Sequence, residues 1–268
     1  MRILLLIFLS LLILPVSAQP RQSLVPGGVA IVQLKADESS GFRFNGKPVL
    51  TTRIDGVFSA VVGLPLDLKP GEHYLEKSDS GGIQKKFFEV SHKHYTTQYI
   101  TIEDDRKVNP YASDWDRILA EKTRQQKARD YFTNNDADIN FLLPVKGINT
   151  GSFGRRRVFN GQPRRPHSGM DFAADEGTPV IAPSAGKVIE LGDFFFSGKM
   201  VYVDHGQGLI SMFAHLSEID VVLGEPLKKG QVVGKVGSTG RATGPHLHWS
   251  LGLNGAWIDP SLFLPDEK

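Results

Sequence analysis

The sequence contains no cysteine among its 268 residues. This absence excludes disulfide bonds, thiolate-bound zinc, iron–sulfur clusters and a thiol nucleophile, so a metal site has to use histidine, aspartate or glutamate. An excess of one charge is also lacking, because 31 Lys and Arg residues face 29 Asp and Glu residues. The net charge of +2 gives no argument for nucleic-acid binding. Beyond residue 20 no apolar run is long enough to span a bilayer, which excludes a polytopic membrane protein.

The first 18 residues have the pattern of a secretory signal peptide. Arg2 precedes an apolar run over residues 3–14, and Val16 and Ala18 stand at the positions that a signal peptidase reads. This run is short for a membrane-spanning helix, which needs about 20 residues. We therefore expect export and a mature chain without a stable membrane span, with an uncleaved N-terminal anchor as the alternative. No cysteine follows the run, which excludes a lipoprotein.

The rest of the chain is predicted to be mainly β, in two domains joined by a helix. Residues 19–108 contain short β-branched and aromatic segments separated by Asn-Gly, Asp-Gly and Pro-Gly turns, which predicts a small sandwich. The predicted strands in this part cover residues 28–34, 42–44, 49–53, 57–63 and 96–102. Residues 109–140 change to helix formers and predict a connecting helix over residues 114–132, followed by a linker. Residues 141–268 again alternate short strands with glycine-rich turns, which predicts a compact antiparallel β domain. The predicted strands in this part cover residues 180–182, 186–191, 200–205, 209–215, 231–236 and 246–251.

Histidines concentrate in this C-terminal part. Five of the eight lie after residue 166, namely His167, His205, His215, His246 and His248. Asp171 follows His167 by four positions. His246 and His248 are two positions apart, so on a strand both point to the same face and can approach one centre. Catalytic zinc sites often take three ligands from histidine and carboxylate and keep a fourth position for water.

Spacing alone leaves other interpretations open. A His-x-His pair is a weak signal, since His92 and His94 show the same spacing without a His-x-x-x-Asp partner and are interpreted as surface residues. His205 lies in an Asp-His-Gly-Gln-Gly turn, which favours a structural role. By spacing, residues 167, 171, 246 and 248 fit either a metal site or an ordinary buried cluster.

The residues around these histidines carry a more specific pattern. His167 and Asp171 lie in Arg-Pro-His-Ser-Gly-Met-Asp-Phe, His215 lies in Phe-Ala-His-Leu-Ser, and His246 and His248 end the run Gly-Ser-Thr-Gly-Arg-Ala-Thr-Gly-Pro-His-Leu-His-Trp. These three motifs, in this order over residues 142–265, resemble the lysostaphin-type or LytM-type zinc endopeptidases, peptidase family twenty-three. The first half of the chain is similar, more vaguely, to the β-rich region that precedes this domain in some Gram-negative members.

The resemblance implies a role for each matching residue. It makes His167, Asp171 and His248 the ligands of one zinc ion per chain, and it makes His215 and His246 catalytic residues beside the metal. All five positions are filled, unlike in the metal-free members that only regulate other wall enzymes. Asp175 stands where many relatives have proline, a departure that we expect to be neutral.

The resemblance also implies the activity. Relatives hydrolyse peptide cross-links of bacterial peptidoglycan, through water activated by zinc with help from two histidines. Together with the signal peptide, it places the protein in a Gram-negative periplasm, with the D-alanyl–meso-diaminopimelate bond as the expected target and a glycyl–glycyl bond as the other option. The alternative is a non-hydrolytic wall-binding or amidase-activating regulator.

Two further features leave their roles open at this point. The basic residues Arg155, Arg156, Arg164 and Arg165 either meet carboxylates of the wall peptide or form a solvated loop. The N-terminal β domain is interpreted as a spacer, as a docking module, or as a lid that covers the groove together with the loop at residues 134–138. Neither oligomeric state nor a protein partner follows from the sequence.

Overall fold

The protein, described here from a computed structural model, is mainly β, as predicted. The structure describes residues 19–35, 41–79 and 81–265, so the predicted signal peptide at residues 1–18 lies outside the described residues. Within these ranges there is one α-helix, α1 (Trp115–Arg129). No helix in the described ranges is both long enough and apolar enough to cross a membrane.

The described residues also form twenty-one β-strands, eight before the helix and thirteen after it in sequence. The strands before the helix are β1 (Val29–Gln33), β2 (Arg43–Phe44), β3 (Lys47–Pro48), β4 (Leu50–Ile54), β5 (Val57–Gly63), β6 (Gly71–Asp79), β7 (Gly82–Val90) and β8 (Thr97–Ile100). Those after it are β9 (Ile148–Gly151), β10 (Arg156–Phe159), β11 (Gln162–Arg164), β12 (Met170–Ala173), β13 (Pro179–Ile181), β14 (Gly186–Phe194), β15 (Gly198–Asp204), β16 (Ile210–Leu216), β17 (Glu218–Ile219), β18 (Pro226–Leu227), β19 (Val232–Lys235), β20 (His246–Leu253) and β21 (Ala256–Ile258). Three short 3₁₀ helices cover Asp105–Lys107, Ala112–Asp114 and Pro260–Phe263.

The N-terminal strands form the predicted small sandwich. One sheet has the order β1-β5-β4 and the other the order β3-β2-β6-β7, with antiparallel pairs throughout. Phe42, Phe44, Val62, Leu75 and Val90 are buried between them. The long β6–β7 hairpin was not predicted, because most of its side chains are polar or exposed and only Leu75 and Val90 are fully buried. A hairpin with such a thin apolar face carries a weak period-two signal.

Strand β5 joins this sandwich to the C-terminal domain. Ala60 and Val62 point into the sandwich core, whereas Val61 between them packs into the core of the C-terminal domain together with Val29 and Leu50. This alternation follows from the period of two in a strand. Asn254 adds polar contacts across the junction, since its side chain accepts from the N–H of Gly63 at 2.6 Å and donates to the carbonyl of Gly63 at 3.0 Å. The two domains therefore share buried structure.

Strand β8 pairs in an unexpected place. The predicted strand at residues 96–102 was grouped with the N-terminal domain, but β8 runs parallel to β10 of the C-terminal part, with Gln98 opposite Arg157. The chain therefore contacts the C-terminal domain through β8, before the helix α1 begins. The proposed boundaries near residues 108 and 140 stay predictions.

The helix α1 lies within the predicted segment and is fastened to β14. Its residues Ile118, Glu121 and Ala128 are buried. The carboxylate of Glu121 accepts the N–H of Phe195 at 2.8 Å, just beyond the end of β14, and Arg124 pairs with Glu190 of β14 at 2.6 Å. The helix is therefore part of the C-terminal domain's packing as well as a connection.

The central sheet places the histidine motifs side by side. Its order is β18-β14-β15-β16-β20-β12-β9, with β21 paired to β20, and its pairs are antiparallel. A smaller sheet, β13-β19-β17, packs against it around the buried residues Val180, Val233 and Val236. The His-x-His motif begins the central strand β20, which lies between β12 with Asp171 and β16 with His215.

Candidate metal centre

Three side chains converge on one point at the start of β20. The distance from His167 Nε2 to Asp171 Oδ1 is 3.0 Å, from His167 Nε2 to His248 Nδ1 is 3.0 Å, and from His248 Nδ1 to Asp171 Oδ1 is 2.8 Å. All three residues are buried, and they form the single group of metal-binding side chains found within the described residues. Ligand atoms of tetrahedral zinc, at about 2.0–2.1 Å from the ion, lie about 3.3 Å from one another. The triangle matches this spacing within a few tenths of an ångström.

Strand register brings these residues together. Asp171 of β12 is the direct cross-strand partner of His248 of β20, so both side chains leave the same face of the sheet. His167 lies outside the strands and is held by two backbone hydrogen bonds, from its own N–H to the carbonyl of Arg155 and from the N–H of Gly154 to its carbonyl, both 2.8 Å. Strand β12 is only four residues long and was not predicted.

The hydrogen bonds of the outer ring atoms orient the donors. His167 Nδ1 lies 3.0 Å from the carbonyl oxygen of Ser152, which can only accept, so this nitrogen carries the proton and Nε2 carries a lone pair. His248 Nε2 pairs with the hydroxyl of Ser250 at 2.9 Å. Nitrogen and carboxylate lone pairs facing one another at about 3 Å repel unless a cation lies between them. The donor set therefore fits a divalent metal ion.

The electrostatics agree with this arrangement. Burial lowers the pKa of His248 to about 4, so its imidazole is neutral at pH 7 and available as a ligand. Burial opposes ionisation of Asp171, but the neighbouring His167 and His248 hold its pKa well below the ordinary value. Two imidazoles that bind as neutral ligands and one carboxylate would leave a divalent ion with one net positive charge.

Two residues outside the motifs position the carboxylate of Asp171. Arg157 Nη2 donates to Asp171 Oδ2 at 2.6 Å, the oxygen that is not directed at the two histidines. The other side is closed by Gly151, where a Cβ atom would lie 2.5 Å from the same oxygen. Neither residue was singled out from the sequence. Arg157 stands among three consecutive arginines, and only strand register decides which of them faces Asp171.

His215 and His246 lie next to the three converging residues. Their ring centroids are 4.8 Å apart, the rings of His215 and His248 are 6.1 Å apart, and His246 Nε2 is 4.0 Å from Asp171 Oδ1. His215 Nδ1 donates to the carbonyl of Thr239 at 2.8 Å and His246 Nδ1 to that of Gly244 at 2.8 Å. In its neutral form, each ring therefore offers an Nε2 lone pair. Burial, assisted by His246 and His248, lowers the pKa of His215 to about 3.

The Ser-Thr-Gly segment of the third motif supports His215. The hydroxyl of Thr239 donates to the carbonyl of Leu216 at 2.7 Å and accepts the N–H of Lys199 at 3.0 Å, while its own carbonyl accepts the ring N–H of His215. His215 itself has a φ of 64°, a conformation that non-glycine residues seldom adopt. Such strain persists only where the surrounding structure holds it, here through the contacts to Thr239.

The other histidines and arginines named in the sequence analysis differ in their burial. His92 and His94 are exposed, as predicted. His205 is buried away from the three converging residues, with Nδ1 bonded to the carbonyl of Ala185 and Nε2 to the hydroxyl of Ser211, both at 2.8 Å, in keeping with a structural role. Of the four arginines singled out from the sequence, Arg156 and Arg165 are exposed, whereas Arg155 and Arg164 are half-buried.

Fold and site together define a β-rich protein with a buried His/Asp/His site suited to a metal ion. The profile described as peptidase family M23 matches residues 165–260, and that of the peptidase family M23 N-terminal domain matches residues 22–93. A crystal structure described as a peptidase M23 from Pseudomonas aeruginosa is 43% identical, with a TM-score of 0.75, over 90% of this chain and 95% of that one. The chain belongs to peptidase family M23, a family of metallopeptidases, as the motifs predicted.

Curated relatives match over shorter segments. The DD-carboxypeptidase/endopeptidase Mpg of Neisseria meningitidis serogroup B is 42% identical over 105 residues, which cover 39% of this chain and 24% of that protein. The peptidoglycan DD-endopeptidase ShyC of Vibrio cholerae serotype O1 is 38% identical over 138 residues, which cover 48% of this chain and 32% of that protein. The chain thus spans about a quarter to a third of the length of these relatives.

Proposed function

We propose that this protein is an exported zinc metalloendopeptidase that hydrolyses peptide cross-links of bacterial peptidoglycan. The observation that carries the proposal is the convergence of His167, Asp171 and His248, with His215 and His246 alongside. The names of the relatives support the substrate, because Mpg and ShyC are named for DD-endopeptidase activity. The expected bond is D-alanyl–meso-diaminopimelate.

In this proposal His167, Asp171 and His248 hold one zinc ion. Two imidazoles and one carboxylate are a ligand set that catalytic zinc sites commonly use. Zinc bound there supplies Lewis acidity toward the scissile carbonyl and lowers the pKa of a water molecule to about 7. Arg157 holds the outer oxygen of Asp171, which keeps the inner oxygen directed at the two histidines.

His215 and His246 handle protons and developing charge. Each ring has its Nδ1–H bonded to a backbone carbonyl, which fixes the lone pair on Nε2 and directs the ring. A neutral imidazole in this state accepts a proton from the attacking water, and once protonated it donates to the leaving amine or stabilises the oxyanion. One such group contributes about 10²–10⁴ in rate.

The proposed location is the periplasm of a Gram-negative organism. The residues that suggest export, 1–18, precede the described structure, and peptidoglycan is an extracytoplasmic substrate. N-terminal sequencing of protein recovered from the periplasmic fraction tests this point, with Gln19 expected as the first residue. Recovery of intact protein from the membrane fraction would instead indicate the uncleaved anchor.

The activity is tested by digesting purified cross-linked muropeptide dimers with residues 19–268, with and without a zinc chelator, and by mass spectrometry of the products. We expect chelator-sensitive conversion to monomers, restored by added zinc. The fragment masses identify the bond. Zinc-loaded protein that leaves every dimer intact would contradict hydrolysis and favour the regulator.

Two variants separate the roles of the histidines. His215→Ala is expected to reduce turnover by about 10²–10⁴ while zinc content stays near one per chain, because its ring does not belong to the converging triangle. His167→Ala is expected to lose zinc and activity together. His92→Ala, at an exposed histidine, is the matched control and should change neither. Full activity with full zinc content in both site variants would refute the assignment.

A further inference from the structure

Three arginines share one face beside the metal centre. Arg157 and Arg164 are direct partners in the antiparallel β10–β11 pair, so their side chains leave the same face. Phe159 lies two residues after Arg157 on β10 and points the same way. The guanidinium of Arg241 stacks on Phe159 with its carbon 4.6 Å from the ring centroid, and on Phe196 at 4.7 Å. Arg241 comes from the third motif, five residues before His246.

This cluster lacks matching acids. Arg157 pairs with Asp171, but in the described part of the chain neither Arg164 nor Arg241 has a carboxylate within ion-pair distance. Arg164 donates to the carbonyls of Val108 and Pro163 and to the side chain of Gln162, and Arg241 donates to the carbonyl of Lys107 at 3.3 Å.

Without a bound anion, the proximity of these three positive charges is therefore energetically unfavourable. Burial, assisted by Arg157 and Arg164, lowers the pKa of Arg241 to about 10, which shows that its charge is disfavoured. Arg157 Nε is a buried N–H without a hydrogen-bond partner. Buried donors are nearly always satisfied, and like charges in a half-buried site repel unless an anion joins them. An incoming carboxylate relieves both costs.

The position of the cluster relative to the metal centre limits where that anion lies on a substrate. Arg157 Nη2 is 2.6 Å from one oxygen of Asp171, and the other oxygen faces His167 and His248. Only the carboxylate of Asp171 therefore separates the arginine cluster from the point where His167, Asp171 and His248 converge. In the proposed function, the scissile bond is held at that point. A carboxylate on the carbon that bears the scissile nitrogen has its oxygens within about 4 Å of that nitrogen.

We propose that Arg164 and Arg241, together with the Nε–H of Arg157, bind a free substrate carboxylate on the residue that follows the scissile bond. This inference rests on the proposed function and narrows its substrate. In the D-alanyl–meso-diaminopimelate cross-link, the carbon that bears the scissile nitrogen also carries a free carboxylate. A glycyl–glycyl cross-link has no carboxylate there. The planar fork of arginine suits this ligand, since it binds a carboxylate through two parallel N–H bonds.

The test uses two cross-linked dimers that differ only at this carboxylate, free in one and amidated in the other. The wild-type protein is expected to cleave the free-acid dimer with a kcat/KM about 10- to 100-fold higher than the amide. Arg164→Gln should lose most of this preference, because it slows cleavage of the free-acid dimer much more than cleavage of the amide. Arg241→Lys, which keeps the charge and loses the fork, should give an intermediate preference.

Arg156→Gln is the matched control, because Arg156 is exposed and adjacent to Arg157 on the same strand, so its side chain leaves the opposite face. It should retain the wild-type preference. If the wild-type protein cleaves both dimers equally, or Arg164→Gln slows both by the same factor, the carboxylate site is refuted while the endopeptidase stands.

Binding gives a readout that does not depend on turnover. Calorimetric titration of zinc-loaded His215→Ala protein is expected to show about 10- to 100-fold tighter binding of the free-acid dimer than of the amide, and adding Arg164→Gln should remove the difference. Equal binding of the two dimers overturns the inference. Failure of the wild-type protein to cleave either dimer defeats the proposed function, and the binding preference then decides the arginine site separately.

Discussion

At the scale of single residues, the proposed metal centre depends on groups that are not among its proposed ligands. The ligand set needs one oxygen of Asp171 directed inward, and Arg157 on one side with the bare backbone of Gly151 on the other leaves the carboxylate little freedom. His167 and His248 are likewise oriented by Ser152 and Ser250 through their outer nitrogens. Such outer partners usually tune metal affinity by about 10- to 100-fold.

Arg157→Gln is therefore expected to weaken metal binding by about 10- to 100-fold without unfolding the protein. Released from Arg157, Asp171 can turn both oxygens toward the metal, so the visible spectrum of the cobalt-substituted protein should shift toward the weaker absorption of five-coordination. Chelator competition measures the affinity. Arg156→Gln serves as control, since its side chain leaves the other face of β10. Unchanged affinity and spectrum in Arg157→Gln would show that Asp171 is held by Gly151 alone.

At the scale of elements, two loops meet beside the catalytic candidates His215 and His246. The turn between β14 and β15 gives its Ser197 carbonyl to the N–H of His215 and its Phe196 carbonyl to the N–H of Arg241, at 2.9 and 2.8 Å. The contact is backbone to backbone, because a Cβ on Gly240 would lie 2.3 Å from the nitrogen of Gly198. Helix α1 braces the same turn through Glu121. The third motif thus needs glycine here for close approach.

Gly240→Ala is expected to separate these loops and displace Thr239 and His215. Gly177 is a matched control, since Gly240 and Gly177 have φ values of 75° and 89° but a Cβ on Gly177 meets nothing within 4 Å. Gly177→Ala should cost about 1–2 kcal/mol for the left-handed conformation and keep activity. Gly240→Ala should cost more and reduce turnover at least about tenfold, with zinc content unchanged. Denaturant unfolding measures the stability, muropeptide assays the turnover, and metal analysis the zinc content. Equal losses of stability and turnover in the two variants would contradict the close contact at Gly240.

At the scale of the whole molecule, the N-terminal sandwich and the peptidase domain share a core. Val29, Leu50 and Val61 lie in one apolar cluster with Trp249, Leu251, Leu253 and Ile258 of β20 and β21. The N-terminal part is therefore more than a spacer attached by a linker. Removing the N-terminal sandwich would expose this apolar cluster. The activity of a truncated chain would then report both the loss of a possible lid and the loss of stability. Regulation of the peptidase domain by the N-terminal sandwich is therefore best tested in the full chain.

Val61→Ala is expected to destabilise the whole protein by about 2 kcal/mol, because it leaves a cavity in the shared core. Val57→Ala, at a position on the same strand that is 41% exposed, should change stability by less than about 0.5 kcal/mol. Hydrogen exchange should show loss of protection in β16 and β20 along with β5. If only the N-terminal sandwich lost protection, the domains would be energetically independent.

The strength of the apolar pattern separates the strands that were predictable from those that were not. Strands with strong apolar patterns, such as β15 and β16, were predicted close to their observed bounds. The β6–β7 hairpin and β12 were missed, the first because only Leu75 and Val90 among its side chains are fully buried and the second because four residues carry little periodicity. The partner of β8 was also out of reach, since a parallel pair between distant segments leaves no local signal.

The absence of cysteine restricted a metal site to histidine and carboxylate ligands, and three motifs with His167, Asp171, His215, His246 and His248 in order indicated the family. The folded chain was needed to see that Asp171 faces His248, that Arg157 rather than Arg156 faces Asp171, and that Arg164 and Arg241 lie beside them. These contacts depend on strand register. A strand alternates its side chains between two faces, and which face reaches the metal centre depends on pairing with segments more than 70 residues away, such as β12 with β20.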